Sequence, residues 1–519
     1  MTRPQSTTFI CELPLRLSSA DERVMAVRFD VARQSYNACL SEALRRLALM
    51  RESKVYQAAC KLPKGEKYSR LAKERTAAFR FANARFGFRE YDLHAWAGKQ
   101  IKRQWLGKHL DINTVQKLAT RAFQATQDYA VGKHGRPRFK GRYQLDSLEG
   151  KSNQAGIRWR DDHIEWSGLH LAASIDPQDK VIAHGLGSRI KYVRLVRRKL
   201  NGYPRYFAQL VCEGLPYRKE QNSIGQGVVG IDLGPSTLAV VAPNAPMAFL
   251  KQFCAELIPQ HKTIRRWQRK MDRQRRANNP ANYNTNGTVK SGARVWRMSA
   301  RQRETQAGVA ELHRQQAAWR KGWHGQMVNR ILRLGNVIQL EKVSYRSFQR
   351  NFGKSVGVRA PGMFVSVLKR KAENAGIQVN EFSTRMTRLS QVCHQCGTVA
   401  PKPLSQRWHR CECGIEAQRD LYSAFLAACV DGERLDADQA KELWSGVDPL
   451  LQAALSRIDQ PTSGGRLPAS FGVSVRRSPS RSPVKAGVKT VEAQVAVPSQ
   501  HAEMGELERD RPIPRTPRL

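Results

Sequence analysis

Acidic residues are scarce in this chain of 519 residues: 44 Asp and Glu stand against 88 Lys and Arg, a formal net charge of +44. Charge at this density cannot sit on one small patch, so a long polyanion is the natural partner. RNA and DNA lead that class, with an anionic membrane surface as the competitor. Long apolar runs are also missing; no stretch of about twenty apolar residues exists to span a bilayer. The N-terminus, Thr2-Arg3-Pro4-Gln5 followed by Thr7-Thr8-Phe9-Ile10, lacks the apolar segment of a signal peptide. The protein is therefore expected to stay where it is made. Cysteine is sparse outside one place. Cys11, Cys39, Cys60, Cys212, Cys254 and Cys429 are scattered in apolar or helical settings, which suits small hydrophobes in a reducing compartment rather than a disulfide framework.

What is present is a basic and largely helical first third. A strand is expected over roughly Thr8 to Leu15, then a helix opened by the capping-box pattern Ser19-Ala20-Asp21-Glu22. Helical spacing of apolar residues continues to about Tyr129, with Val115, Leu118, Ala122, Ala125 and Tyr129 as one stripe. After Gly132 the pattern changes. Gly135 to Arg142 is a basic loop in which Arg136, Arg138 and Lys140 surround one aromatic, Phe139. Short alternating strands follow: Ile157/Trp159 and Ile164/Trp166 about Asp161-Asp162, then Val193/Leu195 and Tyr206 to Val211 about the Asn201-Gly202 turn. With the first strand these are expected to close a small barrel.

Val228-Val229-Gly230-Ile231-Asp232-Leu233-Gly234 is a buried strand that delivers one carboxylate at its end and then turns. Strands at Thr237–Val241 and Ala248–Phe253 extend it to a meander. A basic helix comes next, with Arg265, Arg266, Arg269 and Arg273 placed to meet phosphates. A polar break at 278–292 is expected to be a mobile loop, and the helix resumes near Val295 with Trp319, Trp323, Met327 and Ile331 as a core stripe. Asn336 to Glu341 is a second strand ending in an acid. A helix over about Pro361 to Ala375 and a strand over Ile377 to Phe382 follow, and Asp420 opens an apolar helix. This β-β-β-α-β-α-β order, with acids closing the first and fourth strands, is the order of an RNase H-like nuclease core.

Cys393-His394-Gln395-Cys396 and Cys411-Glu412-Cys413-Gly414 read as a zinc ribbon: thiolates on two tight turns can complete one tetrahedral shell. The second pair has one intervening residue instead of two, and His394 and His409 are close enough to replace a thiolate. Four thiolates saturate the ion, so the role is structural. Asp232, Glu341 and Asp420 form the other constellation. Carboxylates gathered in this way hold divalent cations, as phosphodiester hydrolysis on two metal ions requires.

These motifs, Gly230-Ile231-Asp232-Leu233-Gly234, Leu340-Glu341-Lys342-Val343, the cysteine ribbon, Arg419-Asp420 and the Gly135–Arg142 loop, resemble the TnpB family of RNA-guided nucleases. That family has a split RuvC-like nuclease, and compact type V CRISPR effectors derive from it. The resemblance covers residues 7 to 430. It implies a multidomain α+β chain: an RNase H-like (RuvC) α/β core with inserted zinc ribbon, a small β-barrel and a basic helical recognition lobe. The expected boundaries are a wedge-like barrel at 1–18 and 133–222, a helical lobe at 19–132, the nuclease at 223–385 and 416–460, the ribbon at 386–415, and a disordered basic tail at 461–519. It further implies Mg²⁺ on Asp232, Glu341 and Asp420, and structural Zn²⁺ on Cys393, Cys396, Cys411 and Cys413. The expected partners are a guide RNA and target double-stranded DNA, in a prokaryotic cytoplasm at the nucleoid. Gln418 stands where relatives usually have Asp and Tyr422 where they have Asn, which puts the surroundings of Asp420 in question. The reading is an RNA-guided DNA endonuclease; the alternatives are a guided DNA-binding repressor that does not cut, and a transposition accessory that binds DNA.

Overall fold

A computed structural model describes residues 7–103, 105–403, 405–458 and 471–472. The first strand, β1 (Thr8–Pro14), leads to a helix, α1 (Ser19–Glu52), whose cap is Ser18 rather than Ser19. The Ser18 hydroxyl accepts from the Asp21 backbone and Asp21 returns the bond, so the capping box lies one residue earlier than expected. Helices α2 (Lys54–Lys61), α3 (Arg70–Arg85), α4 (Glu90–Arg103) and α5 (Ile112–Ala130) complete the helical region.

Strands β2 (Ser147–Glu149), β3 (Arg158–Arg160), β4 (His163–Trp166) and β5 (Leu169–Ala172) come next. Helix α6 (Lys180–Leu186) separates them from β6 (Ile190–Leu200) and β7 (Tyr203–Glu213). The Asn201-Gly202 hairpin pairs β6 with β7 as expected, both turn residues lying at positive φ. The expected barrel is not closed. One open sheet runs β1-β7-β6-β2 and a separate one runs β3-β4-β5, joined between Leu15 and Ala173. The reason is local: β2 is three residues long and the chain beyond it stays on β6, where Gly150 and Asn153 N–H donate to the Val193 and Lys191 carbonyls, so its free edge hands no ladder on to β3. Both sheets and α1, α4 and α5 share one apolar core, including Phe29, Leu40, Leu118, Trp166, Leu195 and Leu210.

The second half is built on a five-stranded sheet. Its strands are β8 (Val228–Leu233), β9 (Thr237–Ala242), β10 (Met247–Gln252), β11 (Val337–Glu341) and β12 (Gln378–Phe382), in the order β10-β9-β8-β11-β12. The meander β8-β9-β10 is antiparallel, whereas β8, β11 and β12 run parallel. Between β10 and β11 stand α7 (Leu257–Asn278) and α8 (Ala300–Leu332); between β11 and β12 stand α9 (Tyr345–Arg359) and α10 (Pro361–Asn374). α8 begins five residues later than Val295. The polar break before it is held in place: the buried Asn279 donates from Nδ2 to the carbonyls of Arg275 and Arg297 and accepts from the Arg297 backbone. Of the expected stripe on α8, Trp323, Met327 and Ile331 pack on the sheet, but Trp319 is exposed. α9 was not expected at all; its Gly353 and Gly357 dilute the helical pattern.

The chain closes with α11 (Thr384–Thr387), the hairpin β13 (Trp408–Arg410) and β14 (Glu416–Gln418), then α12 (Arg419–Ala428), the short pair β15 (Val430–Asp431) and β16 (Arg434–Leu435), and α13 (Ala437–Ser456). α8 and α10 cover one face of the five-stranded sheet, and α12 and α13 the other. Of the expected tail, Phe471 and Gly472 are described: Phe471 is buried in the α12–α13 core and the Gly472 carbonyl accepts from Trp408 Nε1. The remainder of that segment lies outside the described residues. No helix among the described residues is long and apolar enough to cross a membrane.

Candidate metal-binding acid cluster and four-cysteine ribbon

Strand periodicity sends alternate side chains to opposite faces of a sheet. In β8, Val229, Ile231 and Leu233 pack under α8 and α10, so Gly230 and Asp232 face α12. In β11, Ile338 and Leu340 take the α8/α10 side, so Gln339 and Glu341 also face α12; Gln339 Nε2 donates to the Val430 carbonyl just beyond that helix. The parallel register pairs Leu340 with Ile231, so Glu341 and Asp232 are the next residues at the same ends of neighbouring strands, about 4.8 Å apart in the backbone.

The third acid arrives by close packing. Gly230 lies so near α12 that a Cβ there would overlap the Ala424 carbonyl oxygen and the Ala428 nitrogen. The contact seats the middle and end of α12 on β8, which leaves its first turn, with Asp420, toward the strand ends. Gln418 caps that helix: its Oε1 accepts from the Leu421 backbone at 2.8 Å. The Asp420 carboxylate lies in the first helical turn, where the dipole favours negative charge. Thr237 Oγ1 donates to its Oδ2 at 3.1 Å, and Arg419 Nε stands 3.6 Å from its Oδ1. The Tyr422 hydroxyl bonds to His394 rather than to Asp420. It is fully buried and turned toward the ribbon.

The electrostatics follow from this crowding. Burial, then the charges of Asp420 and Glu341, push the Asp232 carboxyl well above the ordinary carboxylate range. Burial raises Glu341 to about 7 and also raises Asp420, against the opposing pull of Arg419, Thr237 and Arg407. Thus Asp232 lies where it feels the charges of both Asp420 and Glu341. Their oxygens are not as tightly gathered as the cysteine sulfurs; among the described residues the acids do not form a set with ligand atoms all within 4.8 Å. The donor set is all carboxylate, which suits hard divalent cations such as Mg²⁺. Thr237 and Arg407 were missed in the sequence, since no periodicity marks a hydroxyl after a turn or an arginine inside a ribbon; Arg419 was noted there only as part of the motif with Asp420.

The four cysteines converge. Cys393, Cys396, Cys411 and Cys413 place their sulfurs within 4.8 Å of one another, with Cys393–Cys413 at 3.5 Å and Cys396–Cys411 at 3.4 Å. A tetrahedral shell with Zn–S bonds of about 2.3 Å separates its sulfurs by about 3.8 Å, so the residues fit a structural zinc ion. Gly397 (φ +73°) and Gly414 (φ +94°) make the two knuckles possible. The short second knuckle is closed by Gly414 N–H donating to the Cys411 carbonyl and Cys411 N–H to the Ile415 carbonyl. Hydrogen bonding to Thr398 leads the effects that lower the Cys396 thiol to about 6. His394 and His409 replace no thiolate. Both are buried against Tyr422: its hydroxyl accepts from His394 N–H at 3.1 Å and lies 2.7 Å from His394 Nδ1, while the His409 ring lies 4.3 Å from its ring.

The expected nucleic-acid contacts sit on two exposed surfaces. Arg136 and Arg138 are exposed beside the exposed Phe139, and their loop is tied to α1 where Asn37 exchanges two hydrogen bonds with the Lys140 backbone. Arg265, Arg266, Arg269 and Arg273 are all exposed on α7.

Comparison with known proteins bears on the second half most directly. Residues 362–426, from α10 through the ribbon into α12, match the family model of the Cas12f1-like TNB domain. Among solved structures, the chain is similar to a protein in a "Cas12f1-sgRNA-target DNA complex", at 12% identity over 81% of this chain and 98% of that one, with a TM-score of 0.41. It is also similar to a protein in a "CRISPR-Cas12f Ternary Complex", at 13% identity over 80% and 85% of the two chains, with a TM-score of 0.25. No curated protein matches. The segment that carries the family match is the one holding the four cysteines and Asp420.

Proposed function

We propose that the protein is an RNA-guided DNA endonuclease whose RuvC-like core hydrolyses phosphodiester bonds at Asp232, Glu341 and Asp420. The carrying observation is the convergence of these three carboxylates on the α12 side of one sheet, at the ends of two parallel strands and the start of a helix. The strand order β10-β9-β8-β11-β12, with this mix of directions, supports the RNase H-like reading of the core. Burial raises all three carboxyls, and the charges of Asp420 and Glu341 add to it at Asp232, so a bound cation would offset what it costs to ionise them together. Asp232, Glu341 and Asp420 would hold Mg²⁺, which when bound supplies an activated water and a stabilised leaving oxygen. Thr237 and Arg419 fix the Asp420 carboxylate, and Gln418 fixes the helix that presents it.

The domain division suggested by the sequence fits this reading, with the barrel replaced by the two open sheets. The basic helical region and the exposed arginines of α7 and of the Arg136–Lys140 loop would run along a guide RNA–target DNA heteroduplex, base pairing supplying sequence choice. One of the similar solved structures is a complex with an sgRNA and target DNA. A guided binder that represses without cutting would retain the same basic surfaces.

The test is plasmid cleavage by the purified ribonucleoprotein with Mg²⁺. Asp232→Ala is expected to lower cutting by about three orders of magnitude or more while leaving guided DNA binding unchanged. A wild-type complex that binds its target and never cuts would decide for the repressor, and absence of any co-purifying RNA would exclude both guided readings.

A further inference from the structure

Away from the acid cluster and the ribbon, a third group of metal-ligating side chains stands on the outer face of the β3-β4-β5 sheet. Alternation sends Trp159, Ile164, Trp166 and Leu171 into the core, leaving Arg158, His163, Glu165 and His170 on the other side. His163 and Glu165, two apart on β4, share that face, and His170 is Glu165's register partner on β5. The three ligand atoms all lie within 4.8 Å of one another. His163 Nε2 is 3.3 Å from His170 Nδ1 and 3.7 Å from Glu165 Oε1. Ligands about 2.0–2.1 Å from a tetrahedral ion stand about 3.3–3.4 Å apart, so these separations bracket a coordination edge.

The surroundings aim each donor. His163 Nδ1 lies 3.0 Å from the Asp161 carbonyl oxygen, which can only accept, so Nδ1 carries the proton and Nε2 turns its lone pair to the cluster. Asp161 and Asp162 both adopt positive φ (38° and 62°) in the turn that positions this carbonyl. Arg158 Nη2 stands 3.0 Å from Glu165 Oε2, which leaves Oε1 on the side of the imidazoles. The result is two imidazole nitrogens and one carboxylate oxygen on one side of a point open to solvent.

We propose that His163, Glu165 and His170 bind a divalent transition-metal ion of the zinc class, with one position left for an exchangeable ligand. Two nitrogens and one oxygen favour Zn²⁺, Co²⁺, Ni²⁺ or Cu²⁺ over Mg²⁺. The competing arrangement is a plain hydrogen bond, with His170 Nδ1–H donating to His163 Nε2 at the same 3.3 Å.

The two are separated by metal content and Co²⁺ titration of tag-free, full-length protein. Wild type is expected to hold one metal equivalent more than the ribbon accounts for. His170→Gln should lose that equivalent while retaining the ribbon's thiolate-type Co²⁺ absorption. Cys396→Ser should do the reverse. Glu165→Gln is expected to weaken Co²⁺ binding about tenfold or more. Since His170 is exposed, an unchanged melting temperature in metal-free buffer will show that the variant is folded. A wild type saturated by the ribbon alone, or an extra equivalent that survives both substitutions, overturns the proposal.

Discussion

The two faces of the five-stranded sheet are built to different ends. On the α8/α10 side the contacts are apolar: Val229, Ile231, Leu233, Ile338 and Leu340 meet Met327, Ile331, Phe364 and Leu368. One polar ring is buried there, His324, stacked on Phe253 and edged by Phe364 and Trp323. On the α12 side the same strands present Gly230, Asp232, Gln339 and Glu341 to a helix that brings a third acid. The first face stabilises; the second retains mutually repelling carboxylates that cost stability when ionised. Both faces share a backbone, so the apolar face supports the strain of the other.

Substitutions on either side sharpen this contrast, and the greatest effect is expected at the closest approach. Gly230→Ala sets a methyl against the backbone of α12 and should cost about 4 kcal/mol or more, read as a drop in the urea midpoint. Ile231→Val, one residue away on the apolar face, should cost about 1 kcal/mol. Comparable losses at the two positions would refute the idea that α12 is seated by backbone contact.

The apolar face has its own weakness, at low pH. His324 Nε2 donates to the Arg359 carbonyl at 3.0 Å, and Nδ1 has no hydrogen-bond partner. Burial lowers the ring to about 4 from its ordinary 6.5. Between those values the unfolded chain takes up a proton that the folded one refuses, so stability falls as pH drops from about 6.5 to about 4. The full difference is about 3 kcal/mol. Acid melts of His324→Gln should lose that part of the slope; curves parallel to wild type would remove His324 from the account.

A smaller effect than at Gly230 or His324 is expected where the ribbon meets α12. Tyr422→Phe removes the hydroxyl that accepts His394 N–H, leaving a buried donor unpaired at about 2 kcal/mol. Because His394 lies within the first cysteine knuckle, chelator competition should also extract zinc faster. Unchanged melting and unchanged zinc retention would show that the two elements are independent.

Much of the second half was legible because each part is announced locally. Apolar runs ending in an acid mark β8 and β11, and paired cysteines with glycines mark the knuckles. The acid cluster itself needs more than local pattern, since Asp232 and Glu341 meet only through strand order and Asp420 only through the absence of a side chain at Gly230. The barrel was misread because alternation reports that a strand has a buried face, not which edge it joins. α9 was overlooked because its two glycines and scattered arginines carry little periodicity. Gln418 looked like a gap in the family pattern; in place it is a helix cap, which the spacing to Leu421 would have suggested.

The paired helices α7 and α8 leave the sheet after β10 and return at β11. Leu332, at the end of α8, accepts a hydrogen bond from Gly225 N–H, and Asn336, just before β11, accepts one at its side chain from Gly227 N–H. The return point is thus anchored to the very segment that starts β8. Whatever length the arm has, its end re-enters at a fixed address, so strand alignment is insulated from it. Lengthening or trimming the distal tip would change reach along a polyanion without disturbing how Glu341 sits beside Asp232.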